Sequence, residues 1–159
     1  LDGVTQKFII KKIDGIKIGI FGLGIKLEGL VSKSCYKDTI YLDPVSTANH
    51  WSEKLKIEHQ CDLVICLSHL GYNYKTDQIS DIKLAMSTKN IDVIIGGHTH
   101  TFLENAKTIK NIENKDVIVN QAGWGALALG RIDIHFSKKN QIIKDVSQNK
   151  IHKKNYAKN

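Results

Sequence analysis

The sequence predicts an α/β fold in which buried strands alternate with helices, and three observations carry that expectation. Leu63-Val64-Ile65-Cys66-Leu67 is a continuous apolar run of strand length, and Asp92-Val93-Ile94-Ile95 reads as a second buried strand. Between them, Ile79, Ile82, Leu84, Ala85 and Met86 recur at helical spacing. Strand, helix, strand is the order of a parallel pair, because parallel neighbours need a crossover connection. At 159 residues, 42% apolar and 25% charged, the chain has the material of one globular domain with a real core.

Each element has its own local signal. Phe8 to Ile13 and Ile16 to Phe21 are β-rich runs joined by Asp14-Gly15, a dipeptide suited to a tight hairpin. Asp43-Pro44 reads as an N-cap followed by proline at the first helical position, opening a helix that continues to about Gln60. The strand from Leu63 follows, then a helix from about Asp77 to Thr88, then the strand ending at Ile95. Val117-Ile118-Val119 is a further short strand. Ile132, Ile134 and Phe136 alternate with Arg131, Asp133 and His135, as in a half-solvated strand. A Lys139-Asn140 turn leads to Ile142 to Val146, which closes a hairpin. Residues 1–147 form one domain, and 148–159 a polar, lysine-rich tail.

Composition excludes several function classes. The net charge of +7 invites a nucleic-acid polymer as partner, but Arg131 is the single arginine and much of the lysine gathers near the end, where it reads as a solvated tail. No run of about 18 apolar residues offers a transmembrane segment. Cys35, Cys61 and Cys66 are odd in number and lack CxxC spacing, so no disulfide framework or thiolate zinc site is indicated, and Cys61 and Cys66 read as core residues. The chain opens on Leu1 with its single methionine at Met86, which we read as a piece of a longer protein.

Chemistry concentrates at three histidines that follow buried strands: His69 in Ser68-His69-Leu70-Gly71, and His98 and His100 in Gly96-Gly97-His98-Thr99-His100. The C-terminal ends of strands in an open α/β sheet are where sites are built. Neutral imidazole suits zinc, manganese, iron or nickel. The i, i+2 spacing of His98 and His100 predicts an extended backbone presenting both rings to one side. His50 and His59 fall on a helix, His135 on a polar strand face and His152 in the tail, so these four stay outside the site. A dinucleotide-binding turn at Gly19-Ile20-Phe21-Gly22-Leu23-Gly24 is the weaker rival, since Leu27 stands where its third glycine is required.

The segments CDLVICLSHLGY, SDIKLA, NIDVIIGGHTHTFLEN and VIVNQAGWGALALGRIDIHF resemble the second half of the calcineurin-like metallophosphoesterase domain of bacterial 5'-nucleotidases and UDP-sugar hydrolases. The resemblance covers about Ile16 to Phe136. It implies a four-layer α-β-β-α sandwich with two facing mixed sheets, of which this chain would hold the C-terminal half. It also implies hydrolysis of a phosphate ester, such as a nucleotide, at two divalent ions, His69 and His98 on one and His100 on the other. Exported relatives imply a periplasmic or cell-envelope location, with the cytoplasm as the alternative. The family's first half supplies an Asp-x-His pair, a Gly-Asp aspartate and an Asn-His motif; no Gly-Asp dipeptide occurs here, and Asn49-His50 sits in a helix, too late in the family order to substitute. Catalytic residues are therefore expected in that missing N-terminal half, and substrate-binding residues stay unassigned.

Three neutral imidazoles carry no negative charge, whereas two divalent ions about 3.5–4 Å apart repel strongly unless carboxylate or hydroxide bridges them. The chain alone is therefore expected not to hold a two-metal centre. Two other readings remain at this point: a single-metal zinc hydrolase in which the three histidines form one site with an open position, and a non-catalytic, partner-binding remnant. An isolated half would also leave the inner face of its sheet as exposed apolar surface.

Overall fold

A computed structural model describes residues 5–136 with their side chains and the backbone of residues 142–149. The Lys139-Asn140 turn, His152 and the polar end beyond residue 149 lie outside the described residues.

The chain begins with the expected hairpin. Strand β1 (Phe8–Ile13) pairs antiparallel with β2 (Ile16–Leu23), Ile13 facing Ile16. Asp14 and Gly15 both take positive φ, 51° and 88°, as this two-residue turn requires. A short helix, α1 (Lys33–Tyr36), follows and was not expected. Helix α2 (Pro44–Glu53) opens as expected: the Asp43 carboxylate accepts from the Ser46 backbone N–H at 2.7 Å. It is shorter than the sequence suggests, because a π turn takes over at Lys54–Glu58.

Strand β3 (Leu63–Ser68) and β4 (Val93–Ile95) are joined through α3 (Asp81–Ser87) and pair in parallel, so the βαβ expectation holds. Helix α3 starts at Asp81 rather than near Asp77, because the Ser80 hydroxyl caps it by accepting from Lys83 N. Strand β5 (Lys107–Lys110) is an unexpected edge strand; its sequence, KTIK, has too little apolar character to announce itself. It pairs antiparallel with β6 (Asp116–Asn120). The six strands run β1-β2-β3-β4-β6-β5, parallel in the middle and antiparallel at both edges. Gly19 and Gly22 lie inside β2, not at a phosphate-binding turn, which removes the dinucleotide rival.

Alternation along the parallel strands sends side chains to two faces. Phe21, Val64, Cys66, Ile94, Val117 and Val119 pack with Leu55, Leu84 and Ala85 under the helices. Leu63, Val93 and Ile118 face the other way and meet Ile132, Ile134 and Phe136 of β7 (Leu129–Phe136). Strand β7 pairs antiparallel with β8 (Ile142–Asn149), which enters the span expected as tail. The result is a mixed α/β architecture of helices, a six-stranded sheet and a two-stranded second sheet, and among the described residues no helix follows β4. The inner face is not bare, as the expectation of an isolated half had it, because β7 covers its middle. Its C-terminal end remains open, with Leu67 48% and Ile95 44% exposed. Cys61 and Cys66 are buried core residues and Cys35 is exposed.

Candidate metal centre

Because β3 and β4 are parallel neighbours, the segments that follow them emerge side by side at one end of the sheet. His69 leaves β3 with its backbone N–H donating to Leu23 O at 2.9 Å. The rings of His69 and His98 come together edge to face, centroids 5.2 Å apart at 68°. Two imidazoles bound to one tetrahedral ion at about 2.1 Å would place their centroids about 5.3 Å apart, so the pair fits a shared divalent metal. Gly97 makes this approach possible: a methyl group there would sit 3.1 Å from His69 Nδ1. Burial, reinforced by neighbouring His69 and His100, holds the His98 imidazole below its ordinary pKa and so in the neutral form that ligates metal.

The backbone of the second segment differs from the sequence expectation. His98 and His100 are not extended; both take positive φ, 74° and 54°, in the left-handed region that non-glycine residues avoid. Spacing of two therefore does not bring their rings together. His100 lies against Trp124 instead, stacked at 20° with centroids 5.9 Å apart, and Trp124 is 58% exposed. Among the described residues no three His, Cys, Asp or Glu side chains converge on one point. That geometry speaks against the single-metal, three-histidine reading and leaves a histidine pair with a third imidazole apart from it.

A buried polar frame supports both segments, and the sequence reading had assigned its members no role. Ser68 Oγ accepts from Leu70 N at 3.2 Å and donates to Asp81 Oδ1 at 2.5 Å. Asp81 is fully buried, and its other oxygen has no hydrogen-bond partner among the described residues. Burial pushes its carboxyl up to about 7, with the Ser68 hydrogen bond opposing. Tyr74 Oη donates to Leu70 O at 2.8 Å, and Tyr72 N donates to Thr99 Oγ1 at 2.9 Å, which ties the His69 loop to the His98 loop. Gln121, which follows β6, bonds three groups of the His98 segment. The available signal was a polar residue beside or within an apolar run: Ser68 closing β3 and Asp81 opening an otherwise apolar helix face.

Two clefts meet near the histidines. A cleft of about 1170 Å³ lies between the Gly22–Asp43 segment and His69. A smaller one, about 550 Å³, is bordered by Leu70, Tyr74 and His98. The remaining described histidines stay outside: His50 packs on Trp51, His59 lies against Phe8, and His135 is exposed on β7.

The chain is 33% identical over 140 residues to the trifunctional nucleotide phosphoesterase protein YfkN of Bacillus subtilis, a match spanning 88% of this chain and 9% of that protein. It is 32% identical over 147 residues to the NAD 5'-nucleotidase of Haemophilus influenzae, 83% of this chain and 23% of that one. In structure it matches the 5'-nucleotidase precursor from Thermus thermophilus with a TM-score of 0.75 at 26% identity, covering 93% of this chain and 30% of that one. The chain belongs to the 5'-nucleotidase-related, calcineurin-like phosphoesterases. No protein-family model matches it. The chain spans less than a third of the length of each of these 5'-nucleotidase-family relatives. Among the described residues no helix is long and apolar enough to cross a membrane.

Proposed function

We propose that this chain forms the histidine-bearing part of a divalent-metal-dependent phosphoester hydrolase site acting on nucleotides, and that the carboxylate ligands come from polypeptide outside these 159 residues. The observation that carries the reading is the edge-to-face pair of His69 and His98 at the ends of adjacent parallel strands, at a separation suited to one tetrahedral ion. His69 and His98 hold one metal and His100 faces a second; zinc, manganese and iron all suit these ligands. When bound, such ions supply Lewis-acid stabilisation of phosphoryl oxygens and a nucleophile drawn from water near neutral pH.

The chain's own residues orient rather than react. His98, whose imidazole burial holds below its ordinary pKa, offers a neutral ring nitrogen to a metal. Asp81 is walled off beneath the loops and takes no part in proton transfer to a substrate. Gly97 and the Ser68–Asp81 pair fix where the imidazoles stand. The nucleotide class is supported by the names of the relatives, a nucleotide phosphoesterase and an NAD 5'-nucleotidase. The precursor status in the name of the Thermus protein supports a cell-envelope location.

The test is metal content per chain by elemental analysis, for the purified chain and for a His98→Ala, His100→Ala variant, with aryl phosphate turnover measured alongside. The reading predicts one weakly held, mutation-sensitive metal and no turnover by the chain alone. One tightly held metal with turnover would mean that the three histidines suffice. No mutation-sensitive metal at all would favour a non-catalytic remnant.

A further inference from the structure

Gln121 is 1% exposed and directly follows β6, the parallel neighbour of β4. Its side-chain amide reaches across to the segment that carries His98 and His100 and uses both ends. Nε2 donates to Gly97 O at 2.7 Å; Oε1 accepts from Thr101 N at 2.5 Å and from Thr99 Oγ1 at 3.0 Å. The peptide N–H can only donate and the carbonyl can only accept, so these partners fix the amide's orientation. The contacts fall immediately before His98, between the two histidines, and immediately after His100. Both histidines hold the left-handed backbone conformation that non-glycine residues avoid, and such geometry persists only where the surroundings over-determine it.

Backbone bonds and a Thr99–Thr101 hydroxyl contact also hold this segment. Gly96 N donates to Asn120 O, Leu103 N to the backbone carbonyl of Gln121, and Gly123 N to Thr101 O. These secure the two ends of the loop. Among the described residues, Gln121 is the side chain that grips it at Gly97, Thr99 and Thr101, and Thr99 passes the restraint on to the His69 loop through Tyr72 N.

We propose that Gln121 is a positioning residue: its carboxamide clamps the Gly97–Thr101 loop and thereby sets the ring positions of His98 and His100 for metal binding. This rests on the reading of those histidines as ligands. A carboxylate of the same shape keeps the acceptor but turns a charge toward Gly97 O, and a leucine removes both ends of the clamp. Partners that orient ligating residues typically change metal affinity by about 10- to 100-fold when removed.

The test uses the full 159-residue chain and Gln121→Leu, with Gln121→Glu as the near-isosteric second variant and His98→Ala as the ligand control. Zinc affinity is measured by competition with a chromophoric chelator, thermal midpoint is measured in parallel, and amide hydrogen exchange is followed without metal. The expected result is a folded variant whose zinc affinity falls about 10- to 100-fold, with faster exchange at Thr101 and unchanged exchange at Gly96. A merely structural role would lower the thermal midpoint and leave the zinc affinity of the folded chain unchanged, which would overturn the proposal. If His98→Ala binds zinc as well as the unsubstituted chain does, the ligand reading has failed and the proposal falls with it; the control separates that case from failure of the clamp alone.

Discussion

Asp81→Asn should make the protein more stable above neutral pH and leave it nearly unchanged in acid. Asp81 is sealed beneath the two histidine loops, with one oxygen on Ser68 and the other without a hydrogen-bond partner among the described residues. Desolvation raises its carboxyl to about 7, against the Ser68 hydrogen bond, whereas in the unfolded chain it ionises near about 3.9. Between those values the unfolded chain gives up a proton that the folded chain keeps. Folding stability from this group is therefore intact below about pH 4 and declines as pH rises to about 7. Roughly three units at about 1.4 kcal/mol each give about 4 kcal/mol, a large share of a typical domain's roughly 5–15 kcal/mol. Asparagine cannot ionise, so its stability should not follow that slope. Its amide nitrogen would lack an acceptor, at a cost of about 1–3 kcal/mol, but the protonated acid leaves its own O–H in the same position, so that cost largely cancels in acid. At pH 8 the net gain is then about 1–4 kcal/mol. Urea unfolding followed by circular dichroism at pH 4 to 8, with chelator present, measures the difference curve, in which every other titrating group cancels. A difference that stays flat across that range would refute the assignment of a burial-raised carboxyl to Asp81.

Two further outcomes follow from local geometry. Gly96→Ala places a methyl group against the Asp81 carboxylate, an overlap the packed interior cannot absorb cheaply; a loss of about 1–3 kcal/mol should appear in the thermal midpoint, and zinc affinity should fall with it. Asp43→Ala removes the cap of α2, where the carboxylate accepts from both the N–H and the hydroxyl of Ser46, and should cost about 1 kcal/mol in urea unfolding without altering zinc affinity.

Much of the framework was legible because its signals are local. Asp14-Gly15 fixed a hairpin, Asp43-Pro44 a helix start, and the apolar runs ending at Leu67 and Ile95 the parallel strands that deliver the histidines. The histidines themselves stood out because an imidazole follows shortly after the end of each buried strand. What escaped was set by tertiary contacts. The extended backbone expected at His98 and His100 gave way to left-handed φ in a loop that Gln121 reaches from beyond the end of β6. The full-length helix expected to Gln60 yielded to a π turn where Leu55 enters the core. Asp81 and Gln121 read as ordinary polar residues until the fold buried them, since nothing in the local pattern announces a hydrogen bond made across the sheet. Strand β5 was hidden for the opposite reason, being an edge strand whose polar residues face solvent.

The central claim is that His69 and His98 act as a pair on one divalent ion while His100 stands apart. Zinc titration of the full chain against His69→Ala, His98→Ala, His100→Ala and His50→Ala tests it directly. The account predicts that loss of either His69 or His98 abolishes measurable binding by the chain, that loss of His100 weakens it less, and that loss of His50, packed on Trp51 away from the site, changes nothing. Equal binding by the His69→Ala variant and the unsubstituted chain would contradict it.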